Sequence, residues 1–125
     1  MLSHEDKVRV VESYIDAFAN QNPEGVVALF AEDATVEDPI GSPAHRGLEA
    51  IRTFYTASMA TGAKLKLEGP VRTASDYAAF AFSVTLNYGG EKRVDVIDTF
   101  RFNEDGKVIE MRAYFGPANM HGFEG

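Results

Sequence analysis

Four residues carry the chemical interest of this sequence: Asp98, Asp38, Tyr14 and Tyr55 all fall where the local pattern calls for an apolar side chain. In Val94-Asp95-Val96-Ile97-Asp98-Thr99-Phe100-Arg101-Phe102-Asn103, the even positions read Val, Val, Asp, Phe, Phe, and the odd ones are mostly polar. Side chains alternate across a strand, so Asp98 shares the core-facing side with Val96 and Phe100. A carboxylate there either finds partners or becomes neutral, because an unpaired ion loses several kcal/mol of effective solvation on burial. Holding an ordinary Asp protonated at pH 7 costs about 4 kcal/mol, from roughly three pH units at ~1.4 kcal/mol each. A neutral, proton-donating Asp98 is therefore within reach.

Asp38 repeats the anomaly, sharing parity with Ala34 and Val36 before Pro39 ends the pairing. At a strand end beside a loop it keeps some solvent access, which predicts a modest rise in pKa without full neutralisation. Two aspartates of unequal burial in one cavity can divide the work of base and acid. Tyr14 and Tyr55 lie on the apolar stripes of two predicted helices, and their buried hydroxyls need partners. Each residue also has a plainer reading. An inward aspartate can be a local cap or an edge residue, and an inward tyrosine is commonly structural.

The elements that must position these groups follow from periodicity. Ser3-His4-Glu5-Asp6 reads as a helix start, and Val8, Val11, Tyr14, Ile15 and Phe18 continue an amphipathic helix to about Asn20. Asn22-Pro23 opens a short second helix containing Val26, Val27, Leu29 and Phe30. Thr35 to Asp38 is a strand entering a turn, Gly41-Ser42-Pro43 is loop, and Gly47 to Met59 is a third helix stopped by Gly62. The second half switches to period two: Leu65 and Leu67; Phe80, Phe82, Val84, Leu86 and Tyr88; then Ile109, Met111, Ala113 and Phe115. Gly89-Gly90 and Asn103-Glu104-Asp105-Gly106 supply hairpin connections. Three helices followed by antiparallel strands predict an α+β domain spanning residues 1–125, with helices on one face of a strongly curved, mainly antiparallel sheet.

Composition narrows the function. With 125 residues, 45% of them apolar, the chain suits one domain with a sizeable aromatic core from nine Phe and five Tyr. The formal net charge of −7 disfavours nucleic acid and anionic membranes, both polyanions. Absence of Cys removes disulfides and thiolate chemistry, and His4, His45 and His121 lack metal-ligand spacing. Phosphate loops, nucleophile elbows and dinucleotide fingerprints do not occur, so cofactor chemistry is not expected. The charged first twenty residues do not fit a signal peptide, making the cytoplasm the expected location.

Leu29-Phe30-Ala31-Glu32-Asp33-Ala34-Thr35-Val36-Glu37-Asp38-Pro39 and Ile97-Asp98-Thr99-Phe100-Arg101-Phe102-Asn103, with the closing Lys107 to Gly116 segment, resemble the bacterial 3-oxo-Δ5-steroid isomerases, or ketosteroid isomerases. These belong to the nuclear-transport-factor-2-like (NTF2-like) superfamily, and the likeness covers essentially the whole chain. It implies a conical α+β fold, a homodimer, and conversion of a 3-oxo-Δ5-steroid to its conjugated isomer without metal or organic cofactor. It assigns the general base to Asp38, the oxyanion-hole donors to Tyr14 and a protonated Asp98, and a supporting hydrogen bond to Tyr55. The family is itself a standard worked example of a carboxylic acid kept neutral. Phe82, Val84, Met111 and Phe115 become candidates for apolar walls around a flat substrate, although each also reads as core. Phe30 stands where some members carry a third tyrosine, so the hydrogen-bond chain behind Tyr14 is expected to be short.

Two other readings remain on the sequence alone. A hydrolase or dehydratase on the same fold would need a positioned water instead of two converging donors. A non-catalytic binding module would leave Asp38 and Asp98 exposed, or paired with arginines such as Arg46 or Arg112.

Overall fold

The structure is a computed structural model that describes residues 2–87 and 89–123. Helix α1 (His4–Ala19) opens with a reciprocal cap, in which the Asp6 N–H donates to Ser3 Oγ at 3.1 Å and the Ser3 N–H donates to Asp6 Oδ2 at 3.3 Å. Its buried stripe is Lys7, Val11, Tyr14, Ala17 and Phe18. Lys7 is the exception in type, and its ammonium donates to the Ser75 carbonyl. Helix α2 (Pro23–Val27) is one short turn, started by Asn22 Oδ1 accepting from the Gly25 N–H. Helix α3 (Leu48–Ala60) buries Ile51, Tyr55 and Met59, and Gly62, at φ +80°, turns the chain out of it into the sheet.

The strands are β1 (Phe30–Glu37), β2 (His45–Arg46), β3 (Lys64–Leu67), β4 (Arg72–Ala74), β5 (Tyr77–Asn87), β6 (Glu91–Phe102), β7 (Val108–Tyr114) and β8 (Met120–His121). Their order is β2-β1-β7-β6-β5-β3, with β4 added to β5 and β8 to β6. Every pairing is antiparallel except β1 with β7, which is parallel, so the sheet is mixed though mainly antiparallel. The three helices cover its concave side. Contacts of Tyr14, Phe18, Tyr55, Phe80 and Phe100 make one aromatic core between the two layers.

Two expectations shift. Leu29 and Phe30 do not extend α2; Phe30 begins β1 and pairs with Val108. The polar run Ala31-Glu32-Asp33 conceals that strand's first half, where its register with β7 is interrupted between Phe30 and Thr35. Tyr88, placed on the inward face of β5 by its sequence parity, lies outside the described residues. The parity of β6 is clear: Val94, Val96, Asp98, Phe100 and Phe102 are all buried.

Candidate active site

A cavity of about 300 Å³ opens between the helices and the concave face of the sheet, at the lower end of the range for small-molecule sites. Tyr14, Asp38 and Tyr55 line it, brought from α1, the end of β1 and α3. The two tyrosine hydroxyls lie 2.9 Å apart, and their rings meet edge to face at 88°. Phe100 at 5.2 Å and Phe18 at 5.5 Å between ring centroids hold the Tyr14 ring further. Burial, then the neighbouring Tyr55, Asp98 and Asp38, push the Tyr14 hydroxyl well above its ordinary pKa. It is a neutral donor at physiological pH. Phe30 packs on Tyr55, at 6.1 Å between ring centroids, so a phenyl group, with no hydroxyl to extend the pair, occupies that position.

Asp98 lies on the inward face of β6, one side-chain step beyond the cavity-lining Val96, opposite Phe80 on one side and Ala113 on the other. It is 1% exposed. Its Oδ1 is the only buried side-chain polar atom without a hydrogen-bond partner among the described residues. Burial first, and the negative Asp38 second, raise its pKa well above the usual carboxylate range. Such surroundings disfavour the charged form of the carboxyl.

Asp38 is half-buried immediately after β1, and burial alone pushes its pKa up to about 6. The loop that follows is pinned by one main-chain and one side-chain acceptor: the Ile40 N–H donates to the Ala113 carbonyl at 2.8 Å, and the Gly41 N–H donates to Glu37 Oε2 at 2.7 Å. The two carboxyls act on each other as well, since the charge of Asp38 adds to burial in raising the proton affinity of Asp98. Neither makes an ion pair among the described residues; Arg112 pairs with Glu110 at 3.3 Å and Glu37 at 3.8 Å.

Phe82, Val84 and Phe115 stand on the cavity wall. Met111 does not: it is fully buried, opposite Phe100 and beside Val36, in the packed layer of the sheet. Strand parity put it on the inward face but could not say that the cavity stops short of it. The lining also includes Phe18, Ser58, Val94 and Val96, which the sequence reading had not assigned to a site. Helical spacing is the signal for two of them, since Phe18 follows Tyr14 by one turn and Ser58 follows Tyr55 likewise, and strand parity with Asp98 is the signal for Val94 and Val96. No group of three or more His, Asp or Glu side chains able to hold a metal occurs among the described residues.

Residues 11–111 match the model of the SnoaL-like domain. A steroid Δ-isomerase from Nocardioides simplex is 42% identical over 112 residues, covering 88% of this chain and 89% of that protein. Among solved structures, the epoxide hydrolase/cyclase-like enzyme SalBIII superposes with a TM-score of 0.89 at 20% identity, covering 96% and 98% of the two chains. RV0760c from Mycobacterium tuberculosis, solved with estradiol-17β-hemisuccinate, superposes with a TM-score of 0.84 at 25% identity, covering 92% and 97%. The architecture is NTF2-like, and SalBIII shares it at an identity that speaks for the fold alone. With a matched domain spanning most of its length and a relative this similar over nearly all of both proteins, the chain belongs to the SnoaL-like family and, within it, to the steroid Δ-isomerases.

Proposed function

We propose that the protein isomerises 3-oxo-Δ5-steroids to their conjugated Δ4 isomers. The observation that carries this reading is the unsatisfied Asp98 carboxyl near the Tyr14–Tyr55 pair, with Asp38, its pKa pushed up to about 6, on the wall of the adjoining cavity. In the mechanism, the substrate ketone lies against Tyr14 and Asp98. Asp38 removes a proton from C4, and the C3 oxygen takes up the resulting dienolate charge. Two neutral donors aimed at that oxygen stabilise the charge most where water is excluded. Asp38, now protonated, returns the proton to C6, and the double bond comes to rest at C4–C5. A base with a pKa of about 6 is ionised at neutral pH yet strong enough to accept a carbon-bound proton once the enolate is stabilised.

The mechanism requires Tyr55 to donate to the Tyr14 oxygen when substrate is bound, so that the Tyr14 proton goes to the substrate; the 2.9 Å contact serves either direction. Phe82, Val84 and Phe115 supply apolar walls for a flat ring system. The reading needs no metal or organic cofactor, since the substrate supplies the proton and the carboxylate carries it. The molecule acts as a homodimer in the cytoplasm on this reading. Ile97 and Tyr114, cross-strand neighbours on the outer face of the sheet, are 49% and 41% exposed and offer an apolar patch for a second copy. The test is incubation with 5-androstene-3,17-dione while following conjugated-enone absorbance. No turnover by well-folded protein overturns the reading.

A further inference from the structure

We propose that Ser58 is a specificity-determining residue, whose hydroxyl hydrogen-bonds an oxygen substituent carried by the substrate on the rings beyond its reacting ketone. The inference rests on the isomerase reading above and names a feature of the substrate which that reading leaves open.

Strand register orders the cavity by depth. Asp98 opposes Phe80, Val96 opposes Phe82, and Val94 opposes Val84, which in turn faces Leu65 of β3. From Asp98 to Val94 is about 13 Å along the strand at ~3.3 Å per residue. The helical wall runs the same way. Tyr55 is held at the inner end by its bond to Tyr14, Ser58 stands three residues later, about 4.5 Å further along the axis, and the chain then leaves α3 for Ala63 and Leu65 near the outer end. Ser58 therefore lies between the reacting end and the rim.

The polar side chains on this wall are Tyr14, Asp38, Tyr55 and Ser58. The first three have roles in the chemistry. Ser58 has none, and its hydroxyl makes no hydrogen bond to another side chain or to backbone among the described residues; only its carbonyl is used, by Thr61. A serine inside a helix ordinarily returns its hydroxyl to the carbonyl four residues back, here that of Phe54. Apart from those four, the side chains that line the cavity are apolar, Phe18, Phe54, Ala63 and Leu65 among them. Water can satisfy the hydroxyl in the open cavity, but a substrate filling the space displaces it. An all-hydrocarbon ring system then strands the hydroxyl, whereas a ring ketone or alcohol restores its partner. Serine both donates and accepts, so it takes either group.

The experiment compares wild type, Ser58→Ala and Ser58→Thr on 5-androsten-3-one, which lacks a second oxygen, 5-androstene-3,17-dione and 5-androstene-3,11,17-trione. Ser58→Ala is expected to lower kcat/KM about three- to tenfold for at least one oxygenated ketone and to leave 5-androsten-3-one unchanged or improved, with Ser58→Thr restoring the difference. An equal effect on all three ketones overturns the proposal. Binding of the corresponding saturated 3-ketones is measured alongside and must show the same split in Kd. Because that readout needs no turnover, a protein that binds them selectively but isomerises nothing refutes the isomerase reading and still decides the role of Ser58.

Discussion

The hydroxyls of Tyr14 and Tyr55 meet at 2.9 Å across the two helices that roof the cavity. The contact joins α1 to α3 and holds the Tyr14 oxygen in place. Replacing Tyr14 by Phe removes a donor made for the transition state and is expected to lower kcat by about 10²- to 10³-fold with little change in KM. Tyr55→Phe leaves Tyr14 in place but takes away its orienting partner. A loss of about tenfold is expected from one neutral hydrogen bond, and steady-state kinetics on both variants checks the order.

Asp38 gives the pH profile. Its folded pKa of about 6 lies above the ordinary value of 3.8, and catalysis needs the ionised form. On a free-enzyme plot, kcat/KM should rise tenfold per unit up to about pH 6 and level off above it. The effect on stability has the opposite sense. The folded protein holds this proton more tightly than the unfolded chain, so the stabilisation is complete below about pH 4 and is lost as pH rises through about 6. Asp38→Asn should therefore abolish isomerisation, keep steroid binding, and raise stability at pH 7 by about 1–2 kcal/mol relative to wild type. Urea titration at several pH values, with steroid binding in parallel, measures this.

Asp98 should show the same conflict between folding and chemistry. Its unsatisfied Oδ1 costs stability in the unliganded protein. Asp98→Leu, of similar shape, is expected to raise the thermal midpoint while lowering kcat about 10²-fold or more. Asp98→Asn keeps a donor at that position and should retain far more activity. A calorimetric scan together with kcat for the pair checks both halves.

Phe115 and Met111 belong to one apolar run but should respond differently. Phe115 stands on the cavity wall, and Phe115→Ala is expected to raise KM with a smaller change in kcat. Met111 is fully buried, and Met111→Ala should cost about 2–5 kcal/mol of stability while KM stays near wild type. Denaturant midpoints and KM values for the two variants separate wall from core.

Much of this arrangement is legible in the residues. Alternation along β6 gave the inward face of Asp98, because a strand's two faces leave little choice. Helical stripes placed Tyr14 and Tyr55 inward for the same reason. What the pattern could not show was long-range: the parallel contact of β1 with β7, the beginning of β1 at Phe30, and the flanking strands that set Met111 between Val36 and Phe100 in the core. Short strands such as Arg72–Ala74 lack enough positions to display a period. The lone Lys7 on a buried stripe was legible as a residue but not as a contact, since its acceptor, the Ser75 carbonyl, lies 68 positions away.

Ala113 ties the two carboxyls together. It opposes Asp98 across the β6–β7 ladder, and its carbonyl accepts the Ile40 N–H just past Asp38. The spacing between Asp38 and Asp98 is thus written in main-chain bonds, which nearly every residue type can make. Side chains on the walls can be exchanged without moving either carboxyl. A lineage built on this frame can change which molecule it receives while the two carboxyls keep their places.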